Sequence, residues 1–351
     1  MATKNKAGET PLVSVCVPVY DTEPYLERCL LSAAEQDFDR FEIVVASDAS
    51  RGKDERGRRA KKIVKAAQRQ SDKARKLKGL PPIPVKFVES YQNRGILETR
   101  RTLLCEARGA FVAFLDSDDE FLPGALLALH GAALQYGADI VHGEFISGDY
   151  DSSGVFQATE VTKCGAIHHG VLDGNQIARS WSAGDFNGNV IGKLISKPLL
   201  ESAFEKIPYT ECTMAEDFLI FFYLSVHAAR YVGISQKVYQ YRVTSGVSSN
   251  RKIDTMRKWR MVCSAASAFA DVSLMIKECQ AEGILTDDDI EHMGKVTISY
   301  VANSLMQMRQ RVVPELQEEA YAMLCEYWGE DFVKKVDAAM SQGQDNNAAR
   351  G

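Results

Sequence analysis

Leu12-Val13-Ser14-Val15-Cys16-Val17-Pro18-Val19 is a short, valine-rich apolar run. Such a run reads as a buried strand of a parallel sheet. Tyr25, Leu26, Cys29, Leu30 and Ala33 then recur at helical spacing between Glu23 and Glu35. Phe41-Glu42-Ile43-Val44-Val45-Ala46 is a second apolar run, closing on Ser47-Asp48-Ala49-Ser50. Strand, helix and strand in about 40 residues make a βαβ unit with a right-handed crossover. The fold class expected from this beginning is α/β.

Working outward, Val85-Lys86-Phe87-Val88 predicts a third strand, and Gly95 to Arg108 a helix with Gly109 as its C-cap. Phe111-Val112-Ala113-Phe114-Leu115 predicts a fourth buried strand, running directly into Asp116-Ser117-Asp118-Asp119. Pro123 suits the first turn of a helix reaching about Tyr136, and Ile140 to Phe145 a further strand. Residues 147–190 read as loops with short strands, and 191–243 as mixed structure with a helix from Ala215 to His227. Beyond Arg251 the pattern is helical. Thr286 caps a helix that opens on Asp287-Asp288-Asp289 and carries an apolar face from Ile290 to Met308. One further helix is expected from Pro314 to about Met340. The expected organisation is a disordered 1–11, a catalytic-sized domain over 12–250, a helical region over 251–340 and a disordered tail over 341–351.

The chain has 351 residues, 45% hydrophobic and 25% charged. That is ordinary globular composition and sets aside collagen-like, coiled-coil and wholly disordered classes. The 42 basic and 47 acidic residues leave a net charge of −5, which weighs against a dedicated nucleic-acid binder. No run approaches 18 consecutive apolar residues, so no transmembrane helix is expected. Eight scattered cysteines without a CxxC pair read as reduced thiols, and with the polar start they imply a cytoplasmic protein. Residues 51–78 break the pattern, with 13 Lys or Arg against 3 Asp or Glu. Ala60, Ile63, Val64, Ala67, Ala74 and Leu77 make this an amphipathic helix with a basic outer face. That face is either simply solvated or a surface for anionic lipid or a phosphate-bearing partner. Pro81-Pro82-Ile83-Pro84 ends it.

The acidic cluster sits where open α/β sheets bind ligands, at the carboxyl end of a strand. Two carboxylates two residues apart can hold one Mg²⁺ or Mn²⁺ that keeps open positions for phosphate. The alternative is a helix-capping turn before Pro123. Asp48 could meet a nucleotide or close an Asx turn with Ser50. Arg100-Arg101 could contact a pyrophosphate or form a solvated turn. Glu216-Asp217 could supply a general base or match a helix dipole. There is no G-x-x-x-x-G-K-[ST] loop and no G-x-G-x-x-G after the first strand. His168-His169 lacks a third zinc ligand at a recognisable spacing.

Taken in order, these segments resemble glycosyltransferase family 2, whose fold is GT-A. Val15 to Leu26 is similar to V-P-x-Y-N-x-E-x-Y-L, Glu42 to Ser50 to E-I-I-V-V-D-D-G-S, and Asn93 to Arg101 to N-x-G-x-x-x-A-R-N. Gly109 to Asp119 is similar to G-x-Y-I-x-F-L-D-S-D-D, Lys193-Leu194-Ile195 to K-L-[FY], Glu216-Asp217 to E-D, and Tyr239 to Arg242 with Ser248 to Y-x-Y-R…S. The departures are Ser47 for the first acid of D-D-G-S, Asp21 for Asn, Ala49 for Gly, and a longer basic insertion over 51–80. The resemblance implies a GT-A Rossmann-like mixed sheet with a C-terminal helical extension. It implies an inverting transfer of a sugar from a nucleotide-diphosphate donor, a UDP-sugar, to a hydroxyl of a glycan or a lipid- or protein-linked glycan. It further implies that Pro18, Tyr20, Asp48, Arg100, Asp116 and Ser117 line the nucleotide site. Asp118, with Asp116, would hold a divalent metal, Mn²⁺ or Mg²⁺, and Asp217 would be the base, supported by Glu216. The acceptor would lie over 147–193, with Trp181 and Lys193 as contacts. The alternative is a non-catalytic nucleotide- or glycan-binding scaffold of the same fold. Expected partners also include a peripheral membrane contact through 51–78 and a second copy of the chain through the C-terminal helices.

Overall fold

The computed structural model describes residues 10–159, 165–210, 212–244 and 252–348. Residues 1–9, 349–351 and Ser248 lie outside the described residues. The chain divides into two compact units, residues 1–208 with 220–246, and residues 209–219 with 247–351.

The first unit is built on a ten-stranded mixed sheet. Its strands are β1 (Val13–Val19), β2 (Phe41–Ser47), β3 (Val85–Glu89), β4 (Phe111–Phe114), β5 (Glu120–Phe121), β6 (Ile140–Tyr150), β7 (Phe156–Thr159), β8 (Gly170–Asp173), β9 (Lys193–Ser196) and β10 (Arg230–Arg242). The order is β3-β2-β1-β4-β9-β6-β10-β5, with β7 on β6 and β8 on β10. Every residue of β1 and β2 is buried, because helices cover both faces of a parallel sheet. Their register runs from Val13↔Phe41 to Val19↔Ser47, and β1 pairs β4 from Val13↔Phe111 to Cys16↔Phe114. These three parallel neighbours therefore end on one edge of the sheet. The β9 strand runs antiparallel between β4 and β6.

The crossovers are α1 (Glu23–Ala34), α2 (Ala60–Leu77), α3 (Ile96–Glu106) and α4 (Ala125–Tyr136), followed by α5 (Asn175–Ser182), α6 (Lys197–Lys206) and α7 (Glu216–His227), whose residues from Ile220 onward group with the first unit. Several expectations change. The basic segment is helical only from Ala60. Before it, Asp54 accepts the Arg56 and Arg58 backbone N–H groups and Asp21 those of Arg51 and Gly52, which favours a loop. Gly109 is no helix cap. A Cβ there would lie 2.6 Å from the Ser14 nitrogen, so the residue permits close approach to β1. The stretch read as loops contains α5 and the far half of β6. Finally, the helix from Pro314 is broken.

That break lies in the second unit, whose helices are α8 (Met256–Cys263), α9 (Ala265–Ala281), α10 (Asp287–Arg311), α11 (Gln317–Trp328) and α12 (Glu330–Ala348). Pro314–Leu316 forms a single 3₁₀ turn, and Gly329 at φ 86° separates α11 from α12. The expected tail is helical to Ala348. Thr286 and Asp289 make the capping box of α10. Its apolar face, Met293, Val301, Leu305 and Met308, is buried, and the last three join Trp259, Cys263, Leu324 and Val333 in the unit's core. Trp259 donates its ring N–H to the Ala320 carbonyl at 2.8 Å. An 18-residue window within 256–281 reaches a mean hydropathy of 1.2, enough by length and composition for a membrane span. A core helix passes the same test, and 44% of that window is buried.

Candidate functional site

The ends of β2, β1 and β4 bring Asp48, Tyr20 and Asp116–Asp119 to one edge of the sheet. Pro18 is buried beyond the last rung between β1 and β4, Cys16↔Phe114, where pairing to β4 has stopped. Tyr20 follows it half-buried.

The acidic cluster alternates. Asp116 and Asp118 are half-exposed, whereas Ser117 and Asp119 are 3% and 2% exposed. The segment is a turn closed by the Asp119 backbone N–H donating to the Asp116 carbonyl at 3.0 Å, and it directs Ser117 and Asp119 inward. The inward pair is fully engaged. Ser117 Oγ lies 2.6 Å from Thr22 Oγ1. Asp119 accepts the Tyr239 hydroxyl at 2.8 Å and the Arg242 backbone N–H at 2.7 Å. The same Tyr239 oxygen accepts the Asp116 backbone N–H at 3.1 Å. Burial, with repulsion from Asp118 and Asp116, pushes the Asp119 carboxyl well above its ordinary value.

Arg100, 1% exposed on α3, donates from Nη2 to Asp116 Oδ1 at 3.3 Å. It balances the charge of Asp116 from beneath. Asp48, 3% exposed, accepts the Arg94 and Gly95 backbone N–H groups at 2.9 Å each and fixes the turn that enters α3. Burial raises its carboxyl above the usual range, and those N–H groups oppose the rise. Asp48, Arg100 and Ser117 thus face inward and hold the edge in place, in contrast to the lining role expected of them. Ser47, the departure from D-D-G-S, is 1% exposed, and its hydroxyl has no hydrogen-bond partner among the described residues.

Asp118 and Glu120 open onto a cavity of 160 Å³ lined also by Pro24, Tyr25, Arg28, Glu55, Asp119 and Arg242. The Arg28 guanidinium lies 3.7 Å from the Tyr150 ring centroid and that of Arg242 4.4 Å from Tyr25. Arg242 is oriented by Asp149 at 2.8 Å. Two cations and four carboxylates leave this small cleft acidic, so a polyanionic ligand would enter it together with a counter-cation. Among the described residues no three His, Cys, Asp or Glu side chains converge as a metal cage. A cation here would rest on Asp118 and Asp116, hard oxygen donors that fit Mg²⁺ or Mn²⁺, and take its other ligands from phosphate and water.

Two acceptor-side expectations are corrected. Trp181 is 9% exposed and packs on Phe221 and Phe222 at 5.4 and 6.4 Å between centroids, so it is a core aromatic. Lys193, 1% exposed, donates to Asn187 Oδ1 at 3.1 Å and lies 3.4 Å from His142 Nε2, bracing the 187–189 loop from within. Glu216 and Asp217 form the first turn of α7 and group with the helical unit, where Phe218 stacks on Phe269 at 4.4 Å. Their charges, after burial, help raise the Tyr300 hydroxyl.

Sequence reasoning gave no role to Tyr239, Arg28, Tyr25 or Tyr150. Tyr239 and Arg242 stood in a recognised motif, but their place depends on β10 pairing β5, Tyr239↔Phe121.

The sequence profile of Glycosyl transferase family 2 matches residues 14–179, which hold the β2-β1-β4 edge and the whole acidic cluster. This segment belongs to glycosyl transferase family 2. Among similar proteins, the GalNAc(5)-diNAcBac-PP-undecaprenol beta-1,3-glucosyltransferase of Campylobacter jejuni is 30% identical over 159 residues, 44% of this chain and 46% of that protein. Glycosyltransferase GlyA of Streptococcus pneumoniae is 31% identical over 41% of this chain and 18% of its own. The matches thus span less than half of these relatives. Among solved structures, S. aureus TarS 1-349 in complex with UDP-GlcNAc superposes with a TM-score of 0.55 at 18% identity, over 94% of this chain and 92% of that one. The family 2 segment and its sheet accordingly have the GT-A fold.

Proposed function

We propose that the chain is an inverting glycosyltransferase that moves a sugar from a UDP-sugar to a hydroxyl of a glycan or lipid-linked glycan. One observation carries the reading: in a family 2 segment, Asp116 and Asp118 are the half-exposed members of an otherwise buried acidic cluster at the carboxyl edge of the sheet. TarS 1-349 is solved in complex with UDP and with UDP-GlcNAc, which supports a uridine donor. The name of the Campylobacter relative supports a lipid-pyrophosphate-linked acceptor.

A divalent cation held by Asp118 and Asp116 would offset the charge that develops on the departing diphosphate. The chain's own residues do the rest. Tyr20 and Pro18 border the nucleotide. Arg100 and Asp48 keep Asp116 and the 94–95 turn in position. Arg28 and Arg242 face the diphosphate side of the cleft. Asp217, supported by Glu216, takes the proton of the acceptor hydroxyl as its oxygen bonds to the anomeric carbon and the bond to the phosphate oxygen breaks. One displacement inverts that carbon and needs no protein nucleophile.

Calorimetric titration with UDP, GDP and CDP, with and without Mn²⁺, tests the donor site. Metal-dependent binding of UDP that is lost in Asp118→Ala is expected. Asp217→Asn should still bind donor yet release no UDP when an acceptor is supplied. Absence of binding to every nucleotide overturns the transferase reading. Donor binding without transfer to any lipid-linked glycan would favour the scaffold instead.

A further inference from the structure

Apart from Glu55, which lines the cleft, the basic segment takes no part in the site chemistry above, and two groups of its cations differ. Arg58 and Arg75 turn inward. Arg58 binds Glu27 at 2.7 Å together with Asp54, and Arg75 donates to the Pro81 carbonyl at 2.7 Å and to Asp39 at 3.1 Å. Lys61, Lys62, Lys65, Arg69, Lys73 and Lys76 on α2 are all exposed, and none has an ion-pair partner among the described residues.

Their positions are regular. At about 100° per residue the six fall within an arc of about 120°, along a helix about 27 Å long. The opposite face, Ala60, Ile63, Val64, Ala67 and Ser71, is buried against the sheet unit. Asp72, the one acid on α2, is half-buried, with one carboxylate oxygen fully covered. Leu77 stands 82% exposed at the end of the stripe, about 40° beyond Lys73. Like charges so close repel one another, and folding has left them unpaired while pairing their neighbours.

We propose that this stripe of α2 docks the protein on an anionic lipid surface. A straight row of cations beside an exposed leucine matches a planar headgroup layer. Five of the six are lysines, whose compact charges suit diffuse contact with headgroups rather than bidentate recognition. The segment 51–78 carries +10 and the remaining residues −15, so a planar anionic surface can meet the positive face alone. A nucleic acid wrapping the molecule would meet the negative remainder.

The test is co-sedimentation of the full chain with vesicles of phosphatidylcholine alone, or with roughly 30% phosphatidylglycerol, at low and high salt. Binding to the acidic vesicles only, falling steeply with salt, is expected. Replacing Lys61, Lys65, Arg69 and Lys73 together by Gln should weaken it on the order of 100-fold, since each basic residue contributes substantially at a charged surface. Replacing the exposed Lys237, Lys277, Lys295 and Lys335 should leave it within about threefold, because they lie off the stripe. Melting curves check that both variants stay folded. Equal binding to both vesicle types, equal loss in the two variants, or retention of single-stranded RNA through α2 without vesicle binding would overturn the proposal.

Discussion

Replacing Tyr239 by Phe removes one oxygen that serves two groups. The ring is 0% exposed and its hydroxyl donates to Asp119 Oδ2 at 2.8 Å, while accepting the Asp116 backbone N–H at 3.1 Å. The ring keeps its packing against Phe121 and Phe145, so the loss is polar. Asp119, 2% exposed, would retain the Arg242 N–H, and the Asp116 N–H would lose this partner. A typical intramolecular hydrogen bond contributes about 0.5–1.5 kcal/mol, and a buried donor left without a partner costs about 1–3 kcal/mol. Allowing for relaxation, the sheet unit should lose about 3 kcal/mol. At about 2–4 °C per kcal/mol for a domain of this size, its Tm should fall by about 6–12 °C. Tyr91→Phe, at a fully exposed position, serves as control. The same change loosens the backbone carrying Asp116 and Asp118, so metal-dependent UDP affinity should drop about tenfold. A Tm within about 1 °C of the parent would refute the reasoning that this hydroxyl ties β10 to the acidic loop.

Ala49 occupies φ 55°, a conformation that costs an L-residue about 1–2 kcal/mol and a glycine little. Ala49→Gly should therefore raise denaturant stability by about 0.5–1 kcal/mol, and a decrease would count against strain at this turn. His142 is 0% exposed beside Lys193, and burial followed by that charge holds its imidazole well below the ordinary value. Above about pH 6.5 neither state carries the proton. Below it the unfolded chain binds a proton that the folded ring refuses, so stability falls with falling pH, by up to about 1.4 kcal/mol per unit. Urea midpoints measured from pH 7.5 to 5 should show this slope and show it reduced in His142→Gln; equal slopes would exclude His142 as its source.

The βαβ beginning, the strand leading into Asp116 and the family resemblance were legible because each rests on local pattern. An apolar run without alternation is buried on both faces, and its carboxyl end marks the ligand edge of an open sheet. The cap at Thr286 and the basic face of α2 were legible for the same reason. Asp48, Arg100 and Ser117 were named as candidate site residues, but their inward aim was not legible. That depends on Gly95, Asp116 and Thr22, which local pattern does not bring to them. Trp181 reads equally well as a platform or a core ring until Phe221 covers it.

By itself, then, the amino-acid order determined the class of sheet, the place of the acidic cluster and the segregation of charge in 51–78, since all three follow from the period and polarity of neighbouring residues. Only the tertiary structure decided which carboxylates stay open, which cations are paired and which glycines are compelled. Solvent access and partnership are set by groups far along the chain: Tyr239 reaches back to Asp119, and Gly109 meets Ser14 across a strand boundary.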